Sequence, residues 1–269
     1  MSNSLAKKIT IFTLMVLLAI GMLYPFIYMI DNSLKSKEQF FGAPGHSTAS
    51  WAKLFSTIPV GRQLLNSTIV CAGAILIILF VSTLAGFAVA KLQSRVMPFI
   101  FLGIVGAMLI PLQSIIIPAY INASHLNLLS GYWGAILVYA ALGTPFSTFL
   151  MTSYFRGLPD DLVEASVIDG LTFPKIFLRI GLPLAIPAVV TVIVLQFIQV
   201  WDDLLVGLLF IQDPGYRTIT VGLGALAAGR VVDIPVLLAG SLISAIPAIV
   251  VYLIFQRQLV NGLTAGIGK

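Results

Sequence analysis

Six long apolar blocks alternate with shorter polar segments along this chain of 269 residues. The blocks cover residues 9–30, 67–90, 99–121, 132–154, 184–211 and 234–255. A helix needs about 20 apolar residues to cross the hydrocarbon core of a bilayer, and each block reaches that length. Because backbone polar groups in lipid must be satisfied within their own segment, we expect six transmembrane helices.

Prolines within these blocks predict kinks, because each removes a backbone hydrogen bond from its helix. They are Pro25, Pro111, Pro118, Pro145 and Pro247. We find no repeat, Gly/Ser-rich linker or low-complexity tract, so we interpret residues 1–269 as a single membrane domain. Its largest parts outside the blocks are an outer segment (31–66), an inner loop (155–183) and an outer loop (212–233).

The composition requires lipid as part of the solvent. Hydrophobic residues make up 59% of the chain and charged residues 9%, and the mean hydropathy is +1.04. Soluble domains are about a quarter charged. The net charge is +5, but the cations lie at the ends of the apolar blocks. Lipid headgroups and topology therefore explain them better than nucleic acid does.

Six spans place both chain ends on one side of the membrane. Nine cations then lie on the side of the termini: Lys7, Lys8, Lys91, Arg95, Arg156, Lys175, Arg179, Arg257 and Lys269. Six lie on the other side: Lys35, Lys37, Lys53, Arg62, Arg217 and Arg230. This bias predicts cytoplasmic termini. The first block also resembles a signal peptide, but it is longer than a usual apolar signal region, so we interpret it as a retained helix.

The inner loop carries its own helix signals. Pro159 suits a first helical position, and Asp160 and Asp161 place negative charge in the first turn, where the helix dipole favours it. Gly170 predicts the end of this helix. One predicted face of the helix is formed by Leu162, Ala165, Ser166 and Asp169.

A second short helix is predicted after Gly170. Thr172 is a candidate cap, and Pro183 is expected to end the helix. Its apolar face is formed by Phe173, Ile176, Phe177 and Ile180. A small-residue face beside an aromatic patch suits insertion into a groove on a partner. The alternative is an amphipathic loop that lies on the membrane surface.

The spacing of these residues resembles the EAA loop of importer-type ABC permeases, which reads E-A-A, three residues, G, nine residues, I-x-L-P. The matching segments here are Glu164-Ala165-Ser166, Gly170 and Ile180-Gly181-Leu182-Pro183. Ser166 replaces the second alanine. The resemblance implies that the inner loop is a cytoplasmic helix–glycine–helix coupling loop. Its ATPase-coupling residues would be Glu164, Ala165, Ser166, Asp169, Gly170, Phe173, Ile180 and Pro183.

The resemblance extends over nearly the whole chain, which is similar to MalG-type permease subunits of carbohydrate ABC importers. The segments that carry it are Asn66-Ser67, Met108-Leu109-Ile110-Pro111, Ile117-Pro118, Leu126-Asn127, Pro145-Phe146, Gln196-Phe197, Trp201-Asp202-Asp203, Gln256-Arg257 and Gly262-Leu263-Thr264-Ala265-Gly266. The family commonly has W-N-E where this chain has Trp201-Asp202-Asp203.

This family implies a type I importer fold, an all-α membrane protein with six spans, and a division of labour among subunits. A MalF-like permease would complete the path, and an ATPase dimer would bind ATP and Mg, with no cofactor on this chain. An external solute-binding protein would deliver the carbohydrate. The location would be the cytoplasmic membrane of a bacterium or archaeon. The tail (256–269) would reach the ATPases, and the outer loop would contact the binding protein.

The fifth block contains polar side chains that need an explanation in lipid. Gln196, Gln199 and Asp203 share one face at helical spacing, which suits either pathway lining or hydrogen bonding between helices. Asp202 and Asp203 are candidates for a gate or a subunit contact, or they reach the headgroups. Trp201 suits stacking on a sugar or anchoring at the interface.

Chemistry of other kinds finds no support in the sequence. We find no catalytic constellation for a membrane hydrolase and no metal-ligand spacing. The terminal Gly266-Ile267-Gly268-Lys269 lacks the first glycine, the following Ser/Thr and the helix of a phosphate-binding loop. A stand-alone secondary transporter or channel is the remaining alternative, for which only Asp202 and Asp203 offer intramembrane carboxylates. The inner-loop motif favours the importer permease.

Overall fold

The computed structural model describes residues 2–92, 94–229 and 232–265, with side chains for 7–92, 94–229 and 232–258. Regular structure in these residues is entirely helical, which confirms the all-α prediction. The α-helices are α1 (Ser2–Ser33), α2 (Lys37–Phe40), α3 (Ala49–Thr57), α4 (Val60–Lys91), α5 (Met97–Ala107), α6 (Leu112–His125), α7 (Trp133–Arg156), α8 (Asp160–Ile168), α9 (Phe173–Ile176), α10 (Leu182–Leu184), α11 (Ile186–Asp202), α12 (Leu205–Phe210), α13 (Ile219–Ala227) and α14 (Ile234–Ala265).

Six membrane crossings are present only if two broken helix pairs each count as one. Four helices are long and apolar enough by themselves: Lys7–Ser33, Val60–Lys91, Trp133–Arg156 and Ile234–Gln258. The pair α5 and α6 is bent by 94°, and the pair Phe173–Leu184 and Ile186–Asp202 by 72°. The third block is therefore two helices and not one kinked helix, and the 72° bend separates the end of the inner loop from the fifth block.

The break in the third block is centred on Pro111. The three residues before this proline make only short backbone bonds, with the amides of Met108, Leu109 and Ile110 each donating three residues back. Pro111 has extended backbone (φ −69°, ψ 138°) and precedes α6. Because proline lacks an amide hydrogen, the α-helical ladder cannot continue through it. Pro118 lies inside α6 without ending it.

The fifth block also differs from the predicted single helix over 184–211. Here α11 ends at Asp202, and a separate helix, α12, begins at Leu205. Asp203 is extended (φ −73°, ψ 130°), and its carboxylate accepts the amide of Val206 at 2.8 Å. A short acidic side chain that bonds the backbone favours a helix start over a helix interior, which explains the interruption.

Contacts within the described chain form two compact units. The first comprises the described parts of Met1–Val60 and Leu223–Ile246. It contains α1, whose most apolar window has no buried residue within the part of the chain described. Ser36 caps α2 in a reciprocal capping box with Gln39, and Lys53 pairs with Asp233 at 2.7 Å. Most apolar surface of α1 is thus open to lipid or to another chain.

The second unit comprises the described parts of Gly61–Gly222 and Pro247–Lys269. Its buried apolar cluster joins α4, α7 and the segment 176–192; the members are Ile78, Phe87, Ala140, Met151, Phe155, Ile176, Phe177, Ala185, Ala188 and Val192. This cluster fixes the inner loop against two long helices. The predicted tail begins as a continuation of α14 through Ala265. Residues 266–269 and Arg230, which entered the predictions above, lie outside the described residues.

Candidate functional site

The inner loop forms a helix almost where the sequence predicts one. Pro159 has extended ψ (φ −56°, ψ 133°) and is the N-cap, so α8 begins one residue later than predicted, at Asp160. Asp160 and Asp161 both lie in the first turn. Two carboxylates at this end of the helix interact favourably with the positive end of its dipole.

Gly170 ends α8 through a left-handed backbone conformation. Its φ is +79°, a value that residues with a Cβ adopt only at a cost. The amide of Gly170 donates to the carbonyl of Val167, and the amide of Leu171 donates to the carbonyl of Ser166, both at 3.0 Å. This pair of bonds is the Schellman motif, and it confirms the predicted stop at Gly170.

The predicted small-residue face of α8 is interrupted at Ser166. Ser166 is buried, and its hydroxyl donates to the carbonyl of Leu162 at 2.6 Å. Ala165 is exposed, as are Glu164 and Asp169. Neighbouring positions on a helix point in different directions, which explains why Ala165 and Ser166 do not form one surface. The coupling role of these residues stays a prediction.

The end of α8 carries an exposed apolar tip that the sequence analysis did not single out. Ile168 is 85% exposed and Val167 is 58% exposed. Both lie beside the turn at Gly170, where the chain reverses. Apolar side chains on an exposed tip suit burial in a groove of another protein. We call Val167 and Ile168 the apolar tip.

The second helix of the inner loop differs from prediction at both ends. Thr172 occupies the N-cap position without a side-chain cap bond. Helical structure continues through a π-turn (Phe177–Gly181) and α10 to Leu184. Pro183 therefore lies inside this segment and does not end it at its own position. The amide of Leu182 donates to the carbonyl of Phe177, five residues back. A proline ring clashes with the carbonyl four residues before it, which favours a widened turn ahead of Pro183.

Phe87 of α4 holds this second segment in place. Its ring lies 4.9 Å from the Phe173 ring, 5.4 Å from the Phe177 ring and 5.2 Å from the Phe155 ring. Gly181 lies directly against the same ring, since a Cβ built there would be 2.7 Å from it. Phe173 therefore packs partly inside this chain, and Ile180 is partly buried. Aromatic contacts of this geometry add to the stabilisation from burial.

Lys91 connects the end of α4 to the start of α8. Its ammonium donates to a carboxylate oxygen of Asp160 and to the carbonyl of Leu158, both at 2.6 Å. The Lys91 side chain is only 2% exposed, whereas that of Asp160 is 77% exposed. A charge buried to this extent needs its partners, because an unpaired buried ammonium is strongly unfavourable.

The predicted polar stripe of the fifth block does not form. Gln196 is buried, and its amide donates to the hydroxyl of Ser147 at 3.1 Å and to the carbonyl of Gly143 at 3.4 Å. Gln199 is exposed. Asp203 lies beyond the end of α11. Of the two alternatives, hydrogen bonding between helices describes Gln196, while pathway lining stays a prediction for Gln199 and Asp203.

Trp201, Asp202 and Asp203 occupy three different environments. Trp201 is 3% exposed and stacks on Phe197 at 5.1 Å, so it has no free face for a sugar and is not at an interface. Asp202 is exposed. Asp203 accepts from the Tyr139 hydroxyl at 2.9 Å as well as from the Val206 amide. Asp203 thus ties α7 to the start of α12, and the gate role stays a prediction for Asp202 and Asp203.

Sequence reasoning missed Phe87 and Lys91, which position the inner loop, and Tyr139, which bonds Asp203. Phe87 and Tyr139 lie in apolar blocks, where such residues are unremarkable, and Lys91 directly follows one. In the sequence, the position of Lys91 at the end of a span indicates topology and gives no sign that its side chain is buried. Within the ranges that the structure describes, no group of three or more His, Cys, Asp or Glu side chains is arranged to hold a metal ion.

Comparisons with known proteins connect this geometry to transport. Residues 78–264 match the family described as binding-protein-dependent transport system inner membrane component. The trehalose/maltose transport system permease protein MalG of Thermococcus litoralis is 32% identical, and the match covers 99% of this chain and 98% of that protein. The sulfoquinovosyl glycerol transport system permease protein SmoH of Agrobacterium fabrum is 30% identical over 93% of this chain and 90% of its own length.

A solved structure shares the fold. A chain in the crystal structure of a bacterial ABC transporter involved in the import of the acidic polysaccharide alginate superposes with a TM-score of 0.81. The identity is 21%, and the match covers 95% of this chain and 97% of that one. At this identity the likeness concerns the arrangement of helices and not the substrate.

Proposed function

Because the chain belongs to the family of binding-protein-dependent transport system inner membrane components, we propose that it forms one half of the path through which an ATP-driven importer moves a carbohydrate. It is a multi-pass permease with the fold of ABC importer permeases. The MalG and SmoH relatives match over more than nine-tenths of this chain and carry the names of sugar or glycoside transport systems, which supports carbohydrate as the substrate class.

One observation carries the mechanism: an exposed apolar tip on a helix that is firmly held by its own chain. Ile168 is 85% exposed at the end of α8, while the start of α8 is bonded to Lys91. A partner that binds the tip can therefore move α8 and the end of α4 together. A loosely held loop would absorb the motion instead.

The partner at the tip is an ATPase subunit of a cytoplasmic dimer. ATP and Mg bind to that dimer, and its closing and opening supply the motion. The coupling surface on this chain combines the apolar tip with exposed polar residues of the same helix, Glu164 and Asp169. Its turn depends on the left-handed conformation of Gly170. The inner loop is thus cytoplasmic, and so are both termini.

A second, MalF-like permease completes the path. The most apolar window of α1 has no buried residue among those described, so this helix offers a long surface to lipid or to another subunit. An external solute-binding protein delivers the carbohydrate to the outer side. The outer loop, with its short turn at Pro214–Tyr216, is the surface of this chain that we assign to that contact.

The stand-alone transporter is the weaker candidate. Ion-coupled transporters place carboxylates at the membrane midplane beside unwound helices. Here Asp203 is engaged by Tyr139 and by the start of α12, which is a structural use of the carboxylate. Of the two carboxylates, this leaves only Asp202 as a candidate for ion coupling.

Photo-crosslinking tests the position of the ATPase. A cysteine replaces Val167 in a Cys71→Ala background and carries a short maleimide–benzophenone probe. The matched control is Ser94→Cys, an exposed position between α4 and α5. Irradiation of the assembled transporter should join residue 167, but not residue 94, to the ATPase subunit. Equal capture from both positions, or none from residue 167, would contradict the proposal.

A further inference from the structure

The helix α4 differs from every other span in having no proline. It runs without interruption over 32 residues, a length of about 48 Å at the usual rise of an α-helix. The other spans all contain prolines or break beside them: Pro25, Pro111, Pro145, Pro183, Pro187 and Pro247. A continuous hydrogen-bonded helix resists bending, whereas prolines are the usual sites of kinks.

The outer end of α4 is bonded to the outer loop. The Asn66 side-chain amide donates to the carbonyls of Gly215 at 3.1 Å and Arg217 at 2.9 Å. Its carbonyl oxygen accepts from the Tyr132 hydroxyl at 2.7 Å. Asn66 is 2% exposed. These bonds use both functional groups of one buried amide, so the turn at 214–216 cannot shift without breaking them.

Neighbouring side chains strengthen this outer connection. The Ser67 hydroxyl accepts the amide of Ile219 at 3.0 Å. Arg62 donates from Nε to the carbonyl of Gly215, also at 3.0 Å. The backbone of the outer loop is therefore held at three points by one turn and a half of α4. Hydrogen bonds to main-chain carbonyls fix position without depending on the side chains of the loop.

The inner end of α4 is bonded to the inner loop through Lys91 and Phe87. The two residues are four apart, so they lie on the same face of the helix. Lys91 holds the start of α8, and Phe87 packs on Phe173 and Phe177 beyond Gly170. Both halves of the inner loop therefore contact one face of α4 within a single turn.

We propose that α4 acts as a rigid strut. It transmits the displacement caused by docking of the binding protein from the outer loop to the inner loop, with Asn66 and Lys91 as its positioning residues. This inference rests on the proposed function, since it needs a partner at each end. A displacement of the turn at 214–216 moves Asn66, the proline-free helix moves with it, and Lys91 moves the start of α8. The two broken helix pairs are less suited to this role, because they would bend further at their breaks.

If α4 is such a strut, removing its outer connection at Asn66 or its inner connection at Lys91 should reduce the stimulation of the ATPase by the binding protein. The measured quantity is the ATPase rate of the purified, reconstituted complex with the carbohydrate-loaded binding protein, divided by the rate without it. Lys91→Met and Asn66→Leu should each lower this ratio about fivefold or more, the usual size of coupling between distant sites. Lys91→Arg keeps the charge and should restore much of the ratio.

A double variant distinguishes one route from two. If both residues act through α4, the ratio for Asn66→Leu with Lys91→Met should be no lower than that of the worse single variant. Matched controls are Arg95→Met, an exposed cation near Lys91, and Thr68→Val, an exposed polar residue near Asn66. Both controls should keep the wild-type ratio.

Two results would overturn the strut. One is a ratio within twofold of wild type for Lys91→Met or Asn66→Leu in correctly assembled complexes; the other is single effects that multiply in the double variant. If Lys91→Met fails to assemble, Asp160→Asn tests the same bond at an exposed carboxylate. Wild-type transport driven by ATP remains measurable in every case, so failure of the strut is distinct from failure of the proposed function.

Discussion

Gly86 of α4 packs directly against Met151 of α7. A Cβ built on Gly86 would lie 2.7 Å from the Cβ of Met151 and 3.0 Å from the backbone nitrogen of Thr152. Neither atom is at the end of a flexible side chain, so the two helices would have to move apart. Small residues at such crossings let membrane helices approach closely, and here Gly86 sets the distance between α4 and α7.

Gly86→Ala should therefore destabilise the protein. Overpacking of this kind costs about 1–3 kcal/mol. Thermal aggregation of the detergent-purified protein measures the effect as a lower midpoint temperature. Gly103→Ala is the matched control, because a Cβ at Gly103 meets no atom within 4 Å. Alanine favours helix over glycine, so the control should keep or raise the midpoint. A midpoint for Gly86→Ala at or above that of wild type would refute the close contact.

Asp203→Leu should reduce both stability and transport, because the start of α12 loses its acceptor. Loss of a capping side chain costs about 1 kcal/mol, and the Tyr139 hydroxyl loses its partner as well. Asp203→Asn keeps an acceptor for the Val206 amide and should behave nearly as wild type. Uptake and midpoint temperature are measured together. If Asp203→Asn and Asp203→Leu impair transport equally while the midpoint temperature is unchanged, transport requires the negative charge and Asp203 has the gate role.

Gly170→Val should weaken the coupling of ATP hydrolysis to transport. The left-handed conformation costs a residue with a Cβ about 1–2 kcal/mol, so the turn between α8 and α9 would relax and displace the apolar tip. Gly170→Asn is the control, since asparagine tolerates this conformation better. The number of ATP molecules hydrolysed per sugar imported should rise from glycine to asparagine to valine. An unchanged ratio in Gly170→Val would argue against a coupling turn.

Labelling of single cysteines should place the inner loop in the cytoplasm. In a Cys71→Ala background, Lys175→Cys should react with a membrane-impermeant maleimide only after the cells are permeabilised. His46→Cys, in the outer segment, should react in intact cells. Both positions are exposed, so accessibility in the protein does not decide the outcome. The reverse pattern would show that the topology is inverted. Labelling of both positions in intact cells would show that the inner loop is not cytoplasmic.

Much of the architecture follows from sequence because lipid leaves few options. Apolar length predicts the spans, and the positions of Gly170 and the acidic first turn predict where α8 ends and begins. Proline positions predict distortion but not its size: Pro118 leaves α6 intact, whereas Pro111 accompanies a 94° bend. Proline removes one backbone hydrogen bond at either position, so the size of the bend depends on the packed structure and not on the proline alone.

The details of the site were less predictable because they depend on pairings distant in sequence. Helical periodicity placed Gln196 and Asp203 on one face, but Asp203 bonds the next helix and ends α11 before that face is complete. Lys91 and Asp160 are 69 residues apart. A lysine at the end of a span is equally suited to headgroups. Only the fold shows that this one is buried.

Transport in proteoliposomes tests the central claim most directly. This chain is reconstituted with its second permease and its ATPase subunits, and uptake of the radiolabelled carbohydrate bound by the external protein is measured. The account predicts uptake only when ATP and Mg are enclosed on the ATPase side and the loaded binding protein is present on the other side. Uptake by this chain alone, driven by a proton or sodium gradient without ATP, would contradict it.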